Sequence, residues 1–370
     1  MTALQCGPSL SSGSPDVYSS VKPVYSFDPL SDSRWDLFLR SRTDSSIFHS
    51  TAWLSALRRT YGYQAVAFTT SQPHEELHSA AVFCQVDSWL TGRRLVSVPF
   101  ADHCAVLIRE PDDLQSVCSV VKAQIPKRHL RYIEFRSPHH APHDLTGAKL
   151  EASYALHNLD LGPSIATLFG KLHESSTQRK IRRAEREGLV YREGRSEDLL
   201  AAFTRLWMLT RRRHLAPPQP VLWFRNLIEC FGESFKIRLA SKDGQPVAAI
   251  VTLQDQRSMV YKYGCSDPRF HRLGGMHLLL WRSILEAKSE GLKEFDLGRS
   301  DLPNHGLIQF KDRWGAEQTR VSYSRMAASA PSRAGLLARR WYKPALMRLL
   351  PYVPDRLFRT IGEIGYRHLG

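Results

Sequence analysis

The strongest chemical signal in this sequence lies in residues 295–315. Apolar residues alternate with Asp296 and predict a short strand that Gly298 ends. Arg299 and Ser300 then place a guanidinium and a hydroxyl at the carboxyl end of that strand, where they can bind an anionic group. Asp296 is a carboxylate that could move a proton. The alternative is that the next strand buries it against Arg299.

A short helix is predicted directly after this turn, over residues 307–314. Phe310 and Trp314 lie four residues apart and are expected to face the core, so that neighbouring Lys311 is held beside the strand end. A lysine in that position can stabilise negative charge that develops in a transition state. The alternative is a surface lysine flanked by two core aromatic residues.

A second basic segment, residues 178–188, is predicted to be a helix whose N-cap lies among Ser175–Thr177. Arg179 and Arg183 share one face of this helix, and paired guanidinium groups bind phosphate bidentately. A pyrophosphate or a tRNA would suit them. The alternative is a solvated helix with ion pairs along its surface.

A third candidate is Asp102, in the turn that follows Pro99 and breaks an apolar strand. A carboxylate at such a break can orient an attacking amine or accept its proton. It can equally cap the turn.

The charge balance implies acidic partners. The 370 residues include 51 Lys and Arg against 36 Asp and Glu, a net charge of +15. No apolar run approaches the roughly 18–20 residues that span a bilayer, and a cytoplasmic location is expected. No metal is expected, because the six cysteines are scattered without a Cys-x-x-Cys pair, and His139, His140 and His143 lie in a turn-rich loop.

Strand and helix patterns divide the chain into two α/β (α+β) units. Predicted helices include residues 37–48, 51–61, 111–125, 196–213, 222–231 and 274–290, and the last predicted strand is 320–326. The predicted ranges are a disordered leader at 1–22, an N-terminal domain at 23–160, a linking basic helix at 161–187, a C-terminal domain at 188–328 and a basic amphipathic tail at 329–370.

Phe295-Asp-x-Gly-Arg-Ser300, followed by Gly306-x-x-x-Phe310-Lys311-x-x-Trp314-Gly315, resembles the closing signature of the FemAB-like (BioF2-like) branch of the GNAT acyltransferase superfamily. The run Arg179–Gly188 is similar to the Lys/Arg-rich segment that opens the second domain of that branch. The resemblance is clearest over residues 165–326. It implies two tandem GNAT-like domains with a C-terminal basic helical tail.

The resemblance also implies an activity: acyl or aminoacyl transfer to an amine or hydroxyl of a phosphate-bearing cell-envelope precursor, of peptidoglycan or exopolysaccharide. Lys311 would stabilise the tetrahedral oxyanion or phosphate charge, and Asp102 would orient or deprotonate the nucleophile. Arg299 and Ser300, with Arg179 and Arg183, would hold the substrate or a tRNA. The donor would be an acyl-CoA or an aminoacyl-tRNA.

One departure from the family pattern counts against acetyl-CoA as the donor without excluding it, since Gly274 and Gly275 could still approach a phosphate closely. GNAT enzymes that use CoA open their long helix with Gln/Arg-x-x-Gly-x-Gly/Ala, whose amides bind pyrophosphate. This chain keeps Arg272 and Gly275 but has His277 at the fifth offset. Tyr263 precedes this loop and is counted with Arg272, Gly275 and Trp314 as a candidate substrate-binding residue.

Three alternatives stay open: an acetyl-CoA-dependent N- or O-acetyltransferase for exopolysaccharide sugars, a non-catalytic scaffold at a membrane surface, and a nucleic-acid-binding protein. The tail bears on the second. Residues 333–370 are basic and amphipathic, so they could lie on the anionic inner face of the cytoplasmic membrane. They could also pack against the second domain.

Overall fold

The structure, a computed structural model, describes residues 2–4, 22–138, 147–327 and 353–370. It divides into two compact units. The first comprises the described residues of Met1–Ser153, Val321–Ala330 and His368–Gly370, and the second those of Tyr154–Arg320 and Pro331–Arg367. Compared with the predicted ranges, residues 154–187 fall in the second unit and residues 321–327 in the first.

The first unit is a mixed sheet in the order β1-β2-β3-β4-β5-β6-β13. Its pairs are antiparallel except for β5 and β6, which are parallel and are connected through a long helix, α3. The strands are β1 (Thr2–Leu4), β2 (Val24–Phe27), β3 (Gln64–Thr69), β4 (Ala80–Val86), β5 (Arg94–Val96), β6 (Tyr132–Ser137) and the end of β13 (Glu317–Ala327); the helices are α1 (Arg34–Ser41), α2 (Thr51–Tyr61) and α3 (Pro111–Lys127).

The second unit has the sheet order β7-β12-β11-β10-β9-β8. Only β11 and β12 pair in parallel. The strands are β7 (Lys149–Asp160), β8 (Val190–Gly194), β9 (Phe235–Lys242), β10 (Gln245–Gln254), β11 (Ser258–Ser266) and β12 (Glu294–Asp301); the helices are α4 (Ile165–Lys171), α5 (Arg179–Arg186), α6 (Glu197–Arg213), α7 (Val221–Phe231), α8 (Gly275–Ser289), α9 (His305–Asp312) and α10 (Asp355–Leu369).

The two units repeat one topology. In each, an antiparallel series of strands leads through a helix, α3 or α8, to a strand that pairs in parallel with the last of the series. An antiparallel strand then follows at the far side of that parallel strand: β13 beside β6, and β7 beside β12. The predicted α/β fold with two similar domains therefore corresponds to two units of the same topology, although the sequence contains no visible repeat.

Helix α8 shows why the second unit folds as it does. Its apolar face buries Leu279, Leu280 and Ile284 against the sheet, in a core that also includes Phe295 and Trp314. The helix ends where Gly291 takes a left-handed conformation, with φ of +77°, and Leu292 N–H bonds back to the carbonyl of Ala287. The helix predicted at 274–290 is confirmed.

Two local predictions were wrong, and two strands were missed. The helix predicted over 37–48 stops at Ser41, because polar side chains after it bond to the backbone; Ser45 Oγ donates to the carbonyls of Leu39 and Arg42. Ser175–Thr177 does not cap α5, since the helical turn Glu174–Gln178 runs directly into it. Strands β7 and β8 were not predicted.

The described part of the tail, helix α10, packs against α6 within the second unit. Phe358 is fully buried, and the Arg212 guanidinium lies 4.8 Å from its ring centroid. Arg212 also pairs with Asp355. Predictions for residues 333–352 lie outside the described residues, as do those for 5–21 and for His139, His140 and His143. In the described parts of the chain, no helix is both long and apolar enough to cross a membrane.

Candidate functional site

The parallel strands β11 and β12 separate in the middle of the second unit. They pair only from Ser258 to Val260 on one side and from Glu294 to Asp296 on the other, although both strands continue beyond these residues. Each is irregular where the pairing ends. The register of β11 against β10 slips by one residue at Lys262, and that of β12 against β7 slips between Asp296 and Arg299. Such bulges bend a strand and are frequent beside active sites.

The bulge in β12 is held by Lys311. Gly298 has φ of +73° there, and the Lys311 ammonium donates to the carbonyls of Gly298 at 2.7 Å and Arg299 at 3.0 Å. Only 2% of Lys311 is exposed. The lysine therefore occupies a fixed place beside the strand end, where the sequence pattern put it. Its role in stabilising a transition state stays a prediction.

Asp296 also shapes this bulge. Its Oδ1 accepts the Gly298 N–H at 2.6 Å, and the carboxylate is buried. When the Asn158 amide is oriented so that both its nitrogen and its oxygen find partners, the nitrogen donates to the same Asp296 oxygen at 3.2 Å. The guanidinium of Arg299 lies 4.1 Å from the ring centroid of Tyr154. The carboxylate is thus held within its own turn.

A buried histidine that sequence reasoning missed lies opposite the bulge. His157 on β7 is fully buried, and its Nε2 lies 3.0 Å from Oδ1 of Asp312 at the end of α9. Burial lowers the pKa of His157, and the neighbouring Asp312 only partly opposes this shift. Among the described residues, Nδ1 of His157 and the buried hydroxyl of Ser300 have no hydrogen-bond partner. No local motif marks this histidine, since its partner is distant in sequence.

The second polar centre is the N-terminus of α8. Gly274 has φ of +81°, and a Cβ on it would lie 2.4 Å from the backbone oxygen of Lys180. A Cβ on Gly275 would meet Ala248 at 3.1 Å. The Gly274 carbonyl accepts the amides of His277 and Leu278, and no side chain caps the helix. The amides at the start of the helix, which no intrahelical carbonyl can reach, therefore face an open end with positive dipole character.

A pocket of about 240 Å³ lies at this helix end. Its wall combines one cation, two imidazoles and a hydroxyl with glycines and apolar groups, and includes Lys180, Ser266, His271, Gly274, Gly275, Met276, His277 and Phe310. Burial, then Arg313 and Arg179, lower the pKa of Lys180. Burial, then Lys180 and Arg313, lower the pKa of His277 to about 3. Several positive groups thus surround a helix N-terminus, an arrangement that suits a phosphate.

Only some of the predicted binding residues lie at this pocket. Gly275 lines it, and fully buried Trp314 stacks on the ring of His277 at 5.9 Å. Arg272 and Arg179 are exposed. Arg183 pairs with Glu187 at 3.4 Å, as expected for the alternative of a solvated helix with surface ion pairs.

Two predicted residues lie elsewhere. Tyr263 is buried in an aromatic cluster with Trp207 and Phe224, and its hydroxyl accepts the indole N–H of Trp223 at 2.8 Å. It is a core residue, because its hydroxyl is engaged and its ring is enclosed. Asp102 belongs to the first unit, where its backbone carbonyl accepts the Tyr323 hydroxyl at 3.0 Å.

Lys180 and His277 line the pocket but were not predicted to bind substrate. Lys180 was one of several cations in its segment, and only its position against Gly274 distinguishes it. His277 was noticed as a departure from the glycine motif, and it fills that position with a ring between Phe310 and Trp314. Over the described residues, no group of three or more His, Cys, Asp or Glu is placed to hold a metal ion.

A profile described as "Acetyltransferase (GNAT) domain" matches residues 173–312, which contain the α8 pocket and Lys311. Residues 173–312 form a GNAT domain. The predicted resemblance to the GNAT superfamily and the assignment to acyltransferases are confirmed by this match. A search of curated proteins found no match.

Solved structures with the same fold extend the likeness over most of the chain. FemX has a TM-score of 0.61 at 11% identity, covering 78% of this chain and 94% of FemX. A tandem GNAT protein from the clavulanic acid biosynthesis pathway, solved without AcCoA, has a TM-score of 0.52 at 12% identity, covering 84% and 99%. The C-terminal domain of a putative lysylphosphatidylglycerol synthetase from Agrobacterium fabrum has a TM-score of 0.53 at 13% identity, covering 86% and 96%. At these identities the likeness concerns the fold, and the tandem GNAT-like fold predicted from the sequence is confirmed.

Proposed function

We propose that this acyltransferase moves an acyl or aminoacyl group from a phosphate-bearing donor to an amine or hydroxyl of a cell-envelope precursor. The observation that carries the proposal is the open N-terminus of α8 beside Lys180 and Gly274. Backbone amides and a cation bind the phosphate of a donor whatever group that donor transfers. Both acyl-CoA and aminoacyl-tRNA therefore stay candidate donors.

The acyl-CoA donor is supported by Gly275, which keeps the glycine of the family motif at a position where β10 leaves little room for a Cβ. The aminoacyl-tRNA donor is supported by the exposed arginines of α5 and of the turn before α8, because a polyanion needs many cations outside the pocket. His277 lies where the motif has glycine or alanine. It stays neutral near pH 7 and therefore does not change the positive charge that the neighbouring cations provide.

The transfer itself needs no covalent enzyme intermediate, since a thioester or ester is already activated. The acceptor nitrogen or oxygen attacks the donor carbonyl, the bond from the carbonyl carbon to the donor sulfur or oxygen breaks, and the acceptor loses a proton. Lys311, fixed at the β12 bulge, would stabilise the oxyanion. Asp102 would orient or deprotonate the acceptor, as the family resemblance implies. Arg299 and Ser300 would bind the phosphate-bearing acceptor.

An envelope acceptor is supported by the fold relatives, which include FemX and a putative lysylphosphatidylglycerol synthetase. The main alternative is an acetyl-CoA-dependent acetyltransferase for exopolysaccharide sugars, which would share the donor pocket and differ in the acceptor. A non-catalytic scaffold at an envelope-polymer assembly site would bind neither donor productively.

Titration calorimetry with CoA, and filter binding with charged tRNA, distinguish the two donors. Lys180→Met should weaken binding of the true donor roughly tenfold, the loss of one charge-assisted contact. The matched control is Lys293→Met, which removes an exposed lysine outside the pocket. If Lys180→Met binds both donors as tightly as the control does, the α8 pocket is not the donor site.

Mass spectrometry of ligands that copurify with the protein is the broader test, because CoA, tRNA and lipid-linked sugars differ greatly in mass. A retained or turned-over CoA thioester would assign the acyl-CoA reaction. A folded protein that turns over no acyl donor would favour the scaffold.

A further inference from the structure

An apolar tip protrudes from the first unit at the hairpin between β4 and β5. Trp89 is 84% exposed and Leu90 is 62% exposed. Leu369, also in the first unit, is 63% exposed and follows His368, whose ring lies edge-on to Trp89 at 5.4 Å. We refer to Trp89, Leu90 and Leu369 as the Trp89 tip. Large apolar side chains exposed together on a folded protein mark interaction sites.

The Trp89 tip is braced by hydrogen bonds. Ser88 Oγ lies 3.0 Å from Nδ1 of His368, and Thr91 Oγ1 donates to the His368 carbonyl at 2.9 Å. The Gly92 N–H closes the turn onto the Ser88 carbonyl at 2.8 Å. Arg94, almost fully buried, donates to the carbonyls of His368 and Gly370 at 2.8 and 2.7 Å. The exposed side chains of the tip are therefore presented on a preorganised base, which lowers the entropy cost of binding.

Basic side chains surround this tip. The residues after α3 approach the hairpin, since Arg131 donates to the Thr91 carbonyl at 2.8 Å and Arg93 to the Arg128 carbonyl at 3.3 Å. Arg93, Lys127 and Arg131 are exposed, Arg128 is half-buried, and the carboxylate of Asp87 pairs with Arg93. Counted over these five side chains, this basic rim carries a net positive charge.

We propose that the Trp89 tip docks on the surface of an anionic lipid bilayer. An indole and two leucines suit the boundary between headgroups and acyl chains, where tryptophan is enriched. The long side chains of Lys127, Arg128 and Arg131 can reach lipid phosphates while their stems stay near the apolar tip. The charge complementarity between this rim and anionic headgroups favours lipid over a neutral partner. This goes beyond the proposed acyl transfer and would bring the enzyme to membrane-bound substrates.

The test is sedimentation of the full chain with two kinds of vesicle, both in about 0.1 M salt. One kind is phosphatidylcholine containing 30 mol% phosphatidylglycerol, and the other is phosphatidylcholine alone. The protein should bind the anionic vesicles, and the double variant Trp89→Ser/Leu90→Ser should lower the partition coefficient at least tenfold. The matched control is Leu37→Ser, which removes a leucine that is 66% exposed on α1. Circular dichroism checks that each variant is folded.

The charged rim is tested separately by Lys127→Glu. Its control is Lys293→Glu, which makes the same change of charge in the second unit. Lys127→Glu should weaken binding to anionic vesicles more than its control does, and the difference should shrink as salt is raised. The proposal is overturned if the full chain ignores anionic vesicles, or if Trp89→Ser/Leu90→Ser binds them as the wild type does. Because the readout is vesicle binding, its result is independent of donor binding and turnover.

Discussion

The Lys311 ammonium lies 2.7 Å from the carbonyl oxygen of Gly298, at the residue where β12 bulges against β7. A second carbonyl, that of Arg299, accepts from the same ammonium at 3.0 Å. A helix side chain thus fixes an irregular strand end, and the strand end in turn fixes the position of a buried cation. If Lys311 also acts in the transfer reaction, as proposed, stability and catalysis are coupled at this lysine.

Lys311→Met tests that coupling. Two buried carbonyls lose their charged donor, so we expect the free energy of unfolding to fall by about 2 kcal/mol. If Lys311 also meets developing charge, kcat should fall by roughly 10²–10³-fold in the folded variant. Denaturant unfolding and steady-state kinetics measure the two effects.

Lys288→Met is the matched control, because Lys288 also donates to two backbone carbonyls, those of Leu161 and Gly162, while being half-buried. It should cost less stability and leave kcat unchanged. A folded Lys311→Met protein with wild-type kcat would remove Lys311 from the reaction and leave it a structural role.

Asp296 is expected to act by holding the Gly298 amide. Asp296→Asn keeps an oxygen that can accept this N–H, so stability and kcat should stay within a few-fold of wild type. Asp296→Ala leaves the buried amide without its acceptor and should destabilise the protein by about 1–3 kcal/mol. If Asp296→Asn is stable but loses kcat by orders of magnitude, the carboxylate moves a proton, the other role predicted for it.

Gly274→Ala and Gly291→Ala separate backbone strain from a steric clash. Both glycines have positive φ, +81° and +77°, so each substitution should cost about 1–2 kcal/mol from the left-handed conformation. Only at Gly274 does the new Cβ meet backbone, the oxygen of Lys180 at 2.4 Å; at Gly291 nothing lies within 4 Å. Gly274→Ala should therefore be the less stable variant in denaturant titrations and should also weaken donor binding. Equal losses would contradict the close approach of α5 to this loop.

His277 predicts a pH dependence of stability. Its pKa in the folded protein is about 3, below its ordinary value of 6.5. The unfolded chain therefore binds a proton between pH 6.5 and 3 that the folded protein excludes, so stability is fully present above pH 6.5 and falls as the pH is lowered. Between pH 7 and pH 5 the wild type should lose about 2 kcal/mol more than His277→Phe, which keeps an aromatic ring beside Trp314. Parallel pH slopes for the two proteins would show that His277 titrates normally.

The local part of the site could be predicted from the sequence, because strand, turn and helix over residues 295–314 follow from short-range periodicity. Lys311 was placed correctly since its aromatic neighbours fix the helix phase. His157 could not be found, because its partner Asp312 is far away in sequence and only the pairing of β7 with β12 brings them together.

The basic helix α5 shows a different limit. Charge identified the segment, but the residue that reaches the pocket is Lys180 rather than Arg179 or Arg183. The helical turn Glu174–Gln178 sets the rotation of α5, and Thr177 is tied by its hydroxyl to the Arg313 carbonyl at 3.1 Å. A prediction that starts the helix at a Ser/Thr cap cannot recover that rotation.

The contact between Gly274 and the backbone of Lys180 has a consequence for reading related sequences. Any side chain at this glycine would push α5 outward and carry Lys180 away from the amides at the start of α8. A homologue that replaces the glycine must therefore also have altered the α5 segment, and the two changes should occur together. Aligned sequences could be sorted by that joint change into those that keep the proposed phosphate site at α8 and those that have lost it.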